Sequence, residues 1–319
     1  MTNTGDGRVA INFAPSSFTD HYQVFTSSDG ELFTLADSSE TPSLVLDGLT
    51  DNQILYAKVR NSNSFGESNF SEVLAVHVSS SAPATVLIVE GFERQGGTVN
   101  NLDYVIEHGS AIHANGRIFD SASNDAVELG AISLLDYNVV DWISGEEATA
   151  TVSFSPMEQV TLMAYMEAGG QLFISGSEIG YDLEASGNAS DLAFYRDYFK
   201  ADYVADDAGV YATYGTANGI FAGMSDLSFD DGNHGTYNVD YPDGIKPFGG
   251  ATSNLRYDGV DYDAVGGAGI QYTGTFGNGT APGAIVYLGV GFETIYPESN
   301  RNNLMGNVLD YLEATVSVD

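Results

Sequence analysis

The chain has 319 residues, 43% of them hydrophobic and 17% charged, with 37 glycines, the composition of an ordered, turn-rich protein long enough for two domains. Ten basic residues against 44 acidic ones give a formal net charge of -34, which repels phosphate backbones and anionic membrane faces and excludes nucleic acid as a partner. The absence of cysteine excludes disulfides, thiolate metal sites and a cysteine nucleophile, and no apolar run approaches the roughly 20 residues of an inserted membrane helix.

Residues 1–79 are predicted to be all-β. Residues 9–13 and 22–25 alternate apolar with polar side chains, residues 43–46 lead into Gly48-Leu49-Thr50, and residues 56–59 and 73–78 follow. Short strands with turn residues about every ten positions indicate an immunoglobulin-like sandwich. The run Tyr22-Gln-Val-Phe25, the corner from Leu49 to Tyr56 and the loop Asn63-Ser-Phe-Gly66-Glu67-Ser68 resemble a fibronectin type III domain. The resemblance covers this first quarter and implies that the first strand is missing, because residues 9–13 look like the second, unless residues 1–8 supply a stunted edge. An edge left open in this way would accept a strand from elsewhere. Residues 79–83 read as a short linker.

From Thr85 the period changes. Residues 85–90 are a continuous apolar run of the parallel-sheet type, ending in Gly91-Phe92-Glu93-Arg94. A helix is predicted over 100–114, with strands over 117–119 and 138–143. Ser155-Pro156-Met157-Glu158 is a capping box with proline at the first helical position, and Gly169-Gly170 stops the helix it opens. Residues 172–175 form a short buried strand that breaks at Gly176 and turns directly into a helix. Such a strand–turn–helix elbow pushes one side chain out at the carboxyl edge of a parallel sheet, and the middle residue of Gly176-Ser177-Glu178-Ile179-Gly180 is Glu178. Residues 189–200 are amphipathic, and about 203–282 are glycine-rich and β-like, as in an insertion or an antiparallel edge. Residues 284–289 are a buried strand ending in Gly291-Phe292-Glu293. The last helix starts near Ser299 and buries Leu304, Val308 and Leu312. Over 84–319 the pattern predicts right-handed βαβ units and an α/β, doubly wound, mostly parallel sheet with a β-rich insertion.

The strand ends carry carboxylates: Glu93 beside Arg94, Glu146 and Glu147, Glu178, and Glu293. Ligands of open parallel sheets sit outside the carboxyl ends of the strands, so these side chains, with Tyr181 and Asp182, are expected to face one crevice. Clustered carboxylates need a cation, a shared proton or Arg94 to compensate them. A metal site, a general acid/base pair and a set of acceptors for sugar hydroxyls are the three chemistries that follow. A purely structural network, with Arg94 and helix amides holding the glutamates, is the alternative.

The order of these segments looks like the class I glutamine amidotransferase-like fold, a flavodoxin-like layout, including its ThuA-like branch. With the sandwich in front, the runs at 90–94 (EGFER), 144–147 (SGEE), 175–183 (SGSEIGYDL), 203–209 (YVADDAG), 237–243 (YNVDYPD) and 291–295 (GFETI) resemble a region of large secreted bacterial proteins labelled xanthan lyase or N-acetylmuramoyl-L-alanine amidase. That resemblance implies an extracellular or cell-surface location, further modules in a longer parent chain, and a polysaccharide or cell-wall glycan as partner. It also marks a departure. The elbow position that holds a cysteine nucleophile in amidotransferases is Glu178, and the strand that delivers their histidine ends in Glu293. Glutamine hydrolysis by that mechanism is excluded.

Two further readings concern loops. Ser177 at the elbow with His234 of the 230–235 loop would make a serine nucleophile and its base. Asp206, Asp207, Asp230 and Asp231, with Asp240 and Asp243 nearby in sequence, could hold calcium or another divalent metal, although none fits the EF-hand spacing. The expected function is an accessory, glycan-binding region with a carboxylate-rich crevice. The alternatives are a carboxylate- or metal-dependent hydrolase and a structural module of a surface assembly.

Overall fold

The computed structural model describes residues 1–148, 151–225 and 227–316. They fall into two compact units, Met1–Glu90 with Asn101–Ser123, and Gly91–Asn100 with the chain from Asn124 on.

The first unit opens with eight strands: β1 (Thr2–Gly5), β2 (Arg8–Asn12), β3 (His21–Ser27), β4 (Thr34–Ser39), β5 (Ser43–Leu46), β6 (Gln53–Asn63), β7 (Gly66–Glu67) and β8 (Leu74–Val78). One antiparallel sheet runs β1-β2-β5 and the other β4-β3-β6, with β7 and β8 both pairing to β6. Period-two alternation sends Val9, Ile11 and Val24 into a core shared with Ala57, Val76 and Val78. Of the two readings of the N-terminus, the pairing matches a short edge supplied by residues 1–8. Thr2 lies opposite Ala10, Asn3 opposite Val9 and Gly5 opposite Arg8, so β1 covers the edge of β2. Its sequence, TNTG, carries no apolar alternation to announce it. The edge strand β4 escaped notice for the same reason, since five of its six residues are exposed and its pairing with β3 holds it in place. The unit continues with β9 (Val86–Glu90), helix α1 (Val105–Ala114) and β10 (Phe119–Ser123). β9 and β10 run parallel, with Phe119 opposite Val86 and Ser123 opposite Glu90.

The second unit contains helix α2 (Asn124–Glu128), β11 (Val139–Gly145), α3 (Pro156–Glu167), β12 (Gln171–Gly176), α4 (Ala189–Phe194), β13 (Ala201–Ala205), β14 (Ala212–Gly215), β15 (Leu227–Phe229), β16 (Gly244–Pro247), β17 (Thr252–Tyr257), α5 (Tyr262–Val265), β18 (Gly269–Gly274), β19 (Gly283–Leu288), β20 (Ile295–Tyr296) and α6 (Glu298–Val316). The predicted capping box opens α3: Ser155 accepts from the Glu158 amide and the Glu158 carboxylate accepts from the Ser155 amide. Every residue of β11, β12 and β19 is buried, which is why these strands read as continuous apolar runs. Leu304, Val308 and Leu312 of α6 are fully buried, as their spacing predicts.

The sheet of this unit is mixed rather than mostly parallel. Its order is β11-β12-β19-β18-β17-β14-β15-β20. Only β11, β12 and β19 are joined in parallel; the other joins are antiparallel. The glycine-rich segment supplies β14, β15, β17 and β18 to this sheet, while β13 pairs with β16 apart from it. Hairpin-length strands with turn residues between them pair antiparallel, and they cap the parallel core on the β19 side.

Candidate functional site

Strand β12 leaves the sheet at Gly176, where a Cβ would come within 2.8 Å of the Ser144 Cβ. The Ser177 amide donates to the Gly145 carbonyl at 2.9 Å. The next residue, Glu178, adopts φ of +69°, a left-handed conformation that costs a non-glycine residue roughly 1 kcal/mol and that a fold keeps where the geometry is over-determined. The chain then enters a π-helical turn, Tyr181–Ser186. The Asp182 amide donates back to the Glu178 carbonyl at 2.9 Å. This is the elbow that the sequence predicts, with Glu178 at its apex. Among the described residues no hydrogen-bond partner holds the half-buried Glu178 carboxylate. Burial and the charges of Asp206 and Asp182 push its pKa up, against the pull of Arg94.

At the end of β11, Gly145 has φ of +49° and a side chain there would overlap the Phe92 ring. That close approach brings the segment 91–98 onto Glu146 and Glu147. Glu147, 2% exposed, accepts from the Arg94 amide and from the Thr151 hydroxyl, so it fastens the two loops together. Burial still raises its pKa. Glu146 is half-buried and accepts from the Thr98 hydroxyl. Burial pushes its pKa up to about 7, with Asp240 and Glu293 adding to the rise and Thr98 and Arg94 opposing it. The Arg94 guanidinium donates to the Glu146 carbonyl at 3.0 Å and to the Gly96 carbonyl at 3.0 Å. After β19, Glu293 sits on the short 3-10 turn Phe292–Thr294, fully buried, and accepts from the Tyr237 hydroxyl.

The charge of Arg94 reaches both Glu146 and Glu178, and that of Glu293 reaches Glu146. Glu146 feels Arg94, Asp240 and Glu293; Glu178 feels Asp206, Arg94 and Asp182. Their states differ. Glu147 and Glu293 are tied to hydrogen-bond donors, whereas the Glu178 carboxylate has no hydrogen-bond partner among the described residues.

Asp243 lies behind the elbow and was named in sequence only among the loop acids. It is fully buried. Its Oδ2 accepts from the Gly180 amide at 2.6 Å, and among the described residues its Oδ1 has no partner. Burial raises its pKa well above the usual carboxylate value, and the Glu178 charge adds to this. A Cβ at Gly180 would stand 2.7 Å from the Tyr195 hydroxyl and 3.1 Å from Asp243 Oδ2, so only glycine fits between the elbow and this residue.

The other candidates lie elsewhere or are already engaged. Ser177 is 1% exposed and its hydroxyl donates to the Gly145 carbonyl at 3.4 Å. His234 stacks on Tyr296 with ring centroids 3.7 Å apart and its Nε2 lies 3.7 Å from Asp231. A serine–histidine pair is not formed. Asp182 accepts from the Ser153 amide at 2.7 Å, Tyr181 packs edge-on against Tyr203, and Glu93 is exposed.

The aspartates expected to hold calcium have hydrogen-bond partners of their own. No group of three or more Asp, Glu, His or Cys among the described residues is placed to hold a metal ion. Asp230 explains why. Its Oδ1 accepts from the Gly232, Asn233 and His234 amides and its Oδ2 from the amide and hydroxyl of Thr236, so both oxygens are used inside the loop. Asp207 accepts from the Gly209 amide, Asp206 from the Tyr203 hydroxyl, and Asp231 from Asn233.

No protein-family model matches this chain, and none of the curated proteins does. Among solved structures, fibronectin type III domains are similar to its N-terminal quarter. FN3tt is 16% identical with a TM-score of 0.23, covering 25% of this chain and 84% of that one. The 6th fibronectin type III domain from human fibronectin type III domain containing protein 3 is 18% identical with a TM-score of 0.23, covering 25% and 80%. The mmIFT52 N-terminal domain is 14% identical with a TM-score of 0.44, covering 73% of this chain and 98% of that one. These structures give no support to the ThuA-like reading or to the secreted bacterial proteins.

Proposed function

We propose that the rim at the carboxyl ends of β11, β12 and β19 binds a neutral, hydroxyl-rich ligand. On this reading the chain is a glycan-binding, accessory region of a polysaccharide- or cell-wall-active protein at a bacterial surface, joined to other modules. The observation that carries it is Glu178, a carboxylate held at a strained apex with no hydrogen-bond partner among the described residues. Such a group lowers its free energy by accepting from ligand hydroxyls, and Arg94 beside it supplies donors. The formal charge of -34 weighs against anionic glycans. The test is a glycan array carrying neutral and anionic glycans with peptidoglycan fragments. At least one neutral glycan whose binding is lost in both Glu178→Gln and Glu146→Gln supports the reading; if every neutral glycan binds both variants as it binds the unmodified protein, the reading is defeated.

A hydrolase working through these carboxylates is the second reading, and Glu146 favours it. With a pKa of about 7 this group is protonated in about half of the molecules at neutral pH, and that form can give its proton to a leaving group. Release of reducing ends or peptide from the same ligands, lost in Glu146→Gln, would establish it; no release by the unmodified protein would remove it.

A further inference from the structure

The sandwich carries a concave surface of its own. A hollow of about 320 Å³ opens between the loop that joins β2 to β3 and the turn that joins β6 to β7, and both Phe18 and Phe65 line it. The two rings are 85% and 97% exposed, so they contribute nothing to the sandwich core, and large apolar side chains placed together in this way mark an interaction site. They are also held in place. The Asn63 side chain donates through Nδ2 to the Phe18 carbonyl at 2.6 Å and accepts through Oδ1 from the Phe65 amide at 2.8 Å. The Asp20 amide adds a bond to the Ser62 carbonyl at 2.9 Å. One asparagine thus joins the two ring-bearing loops, and little order has to be gained when a ligand arrives.

The rest of the lining selects the ligand. Thr19, Asn61, Ser62 and Ser68 are uncharged donors and acceptors. The carboxylate of the hollow, Glu67, is already paired with Arg60 at 2.6 Å. A cation would find that charge taken, and the net charge of -34 disfavours an anion. Flat apolar faces beside neutral hydrogen-bonding groups suit a molecule with apolar ring faces and hydroxylated edges.

We propose that this hollow is a binding site for a neutral oligosaccharide, whose sugar rings stack on Phe18 and Phe65 while their hydroxyls reach Asn61 and Ser62. It is independent of the carboxylate rim. The test is a titration of the full chain with cellohexaose, xylohexaose and chitohexaose, followed by the amide NMR signals of Thr19 and of residues 61–68. The expected result is saturable shifts at these amides with at least one of the three sugars, weakened about tenfold by Phe18→Ala or Phe65→Ala, the loss of one stacking contact. Both rings are exposed, so neither change should disturb folding, and Glu178→Gln should leave this binding intact. No shift at these amides with any of the sugars, unchanged affinity in Phe65→Ala, or loss of these shifts in Glu178→Gln would overturn the proposal.

Discussion

The amide of Gly180 donates to Oδ2 of Asp243 across 63 residues of chain, at 2.6 Å. The bond ties the helix side of the elbow to a buried acid and fixes where Glu178 points. Asp243 is fully buried and its pKa is lifted far above the usual range, so asparagine should replace it almost isosterically. Asp243→Asn is expected to fold normally and to leave the Glu178 titration, read by carboxyl carbon NMR, in place. Asp243→Ala should cost about 2–4 kcal/mol in urea denaturation, from a cavity and an unsatisfied amide. Loss of folding in Asp243→Asn, at a site where the amide keeps an acceptor for Gly180, would contradict this account.

Glu178 itself holds φ of +69°. Glycine relieves that conformation, so Glu178→Gly should raise the unfolding free energy by about 0.5–1 kcal/mol, whereas Glu178→Val should lower it by about 1–2 kcal/mol. Stability gained as ligand binding is lost is the signature of strain kept for function. Equal stability in the two variants, by denaturant midpoint, would show that the elbow is relaxed.

Glu146 makes stability depend on pH. Its folded pKa is about 7 against a reference of 4.5. Between those values the folded protein holds more protons than the unfolded chain, so this group lowers stability as pH rises from about 4.5 to 7. Glu146→Gln removes that contribution. The variant should gain on the unmodified protein between pH 5 and pH 8, by urea denaturation at each pH. A stability difference that is the same at both would assign Glu146 an ordinary pKa.

Much of this site is visible in sequence because it follows local rules. The apolar run before Gly176, the capping box at Ser155 and the glutamates closing three strands are short patterns with direct structural meaning. The long-range partners are not. Nothing in the local pattern joins Asp243 to Gly180, Thr98 to Glu146 or Tyr237 to Glu293, since each depends on how distant loops fold back. The same limit explains the calcium expectation, where adjacent aspartates suggested a ligand set and loop amides had already claimed Asp230. It explains β1 as well, a strand fixed by its pairing rather than by its side chains.

Asp230 gives a structural prediction in place of the metal. Burial raises its pKa but its hydrogen bonds outweigh burial and hold it below the usual value. Its contribution to stability is therefore present above the ordinary carboxylate range and lost as pH falls through its lowered pKa. Asp230→Ala should cost about 2–4 kcal/mol at pH 7. Neither calcium nor a chelator should move the melting temperature; a shift on adding calcium would reinstate the ion.

The most direct measurement is a calorimetric titration of Phe65→Ala, which weakens the sandwich hollow, and of Phe65→Ala combined with Glu178→Gln, with the neutral glycan that binds Phe65→Ala best. Glu178 as the unpartnered acceptor predicts saturable binding that weakens at least about tenfold in the double variant, the loss of one charge-assisted hydrogen bond, with an unchanged unfolding midpoint. Equal affinity in the two proteins would contradict a ligand site at the elbow.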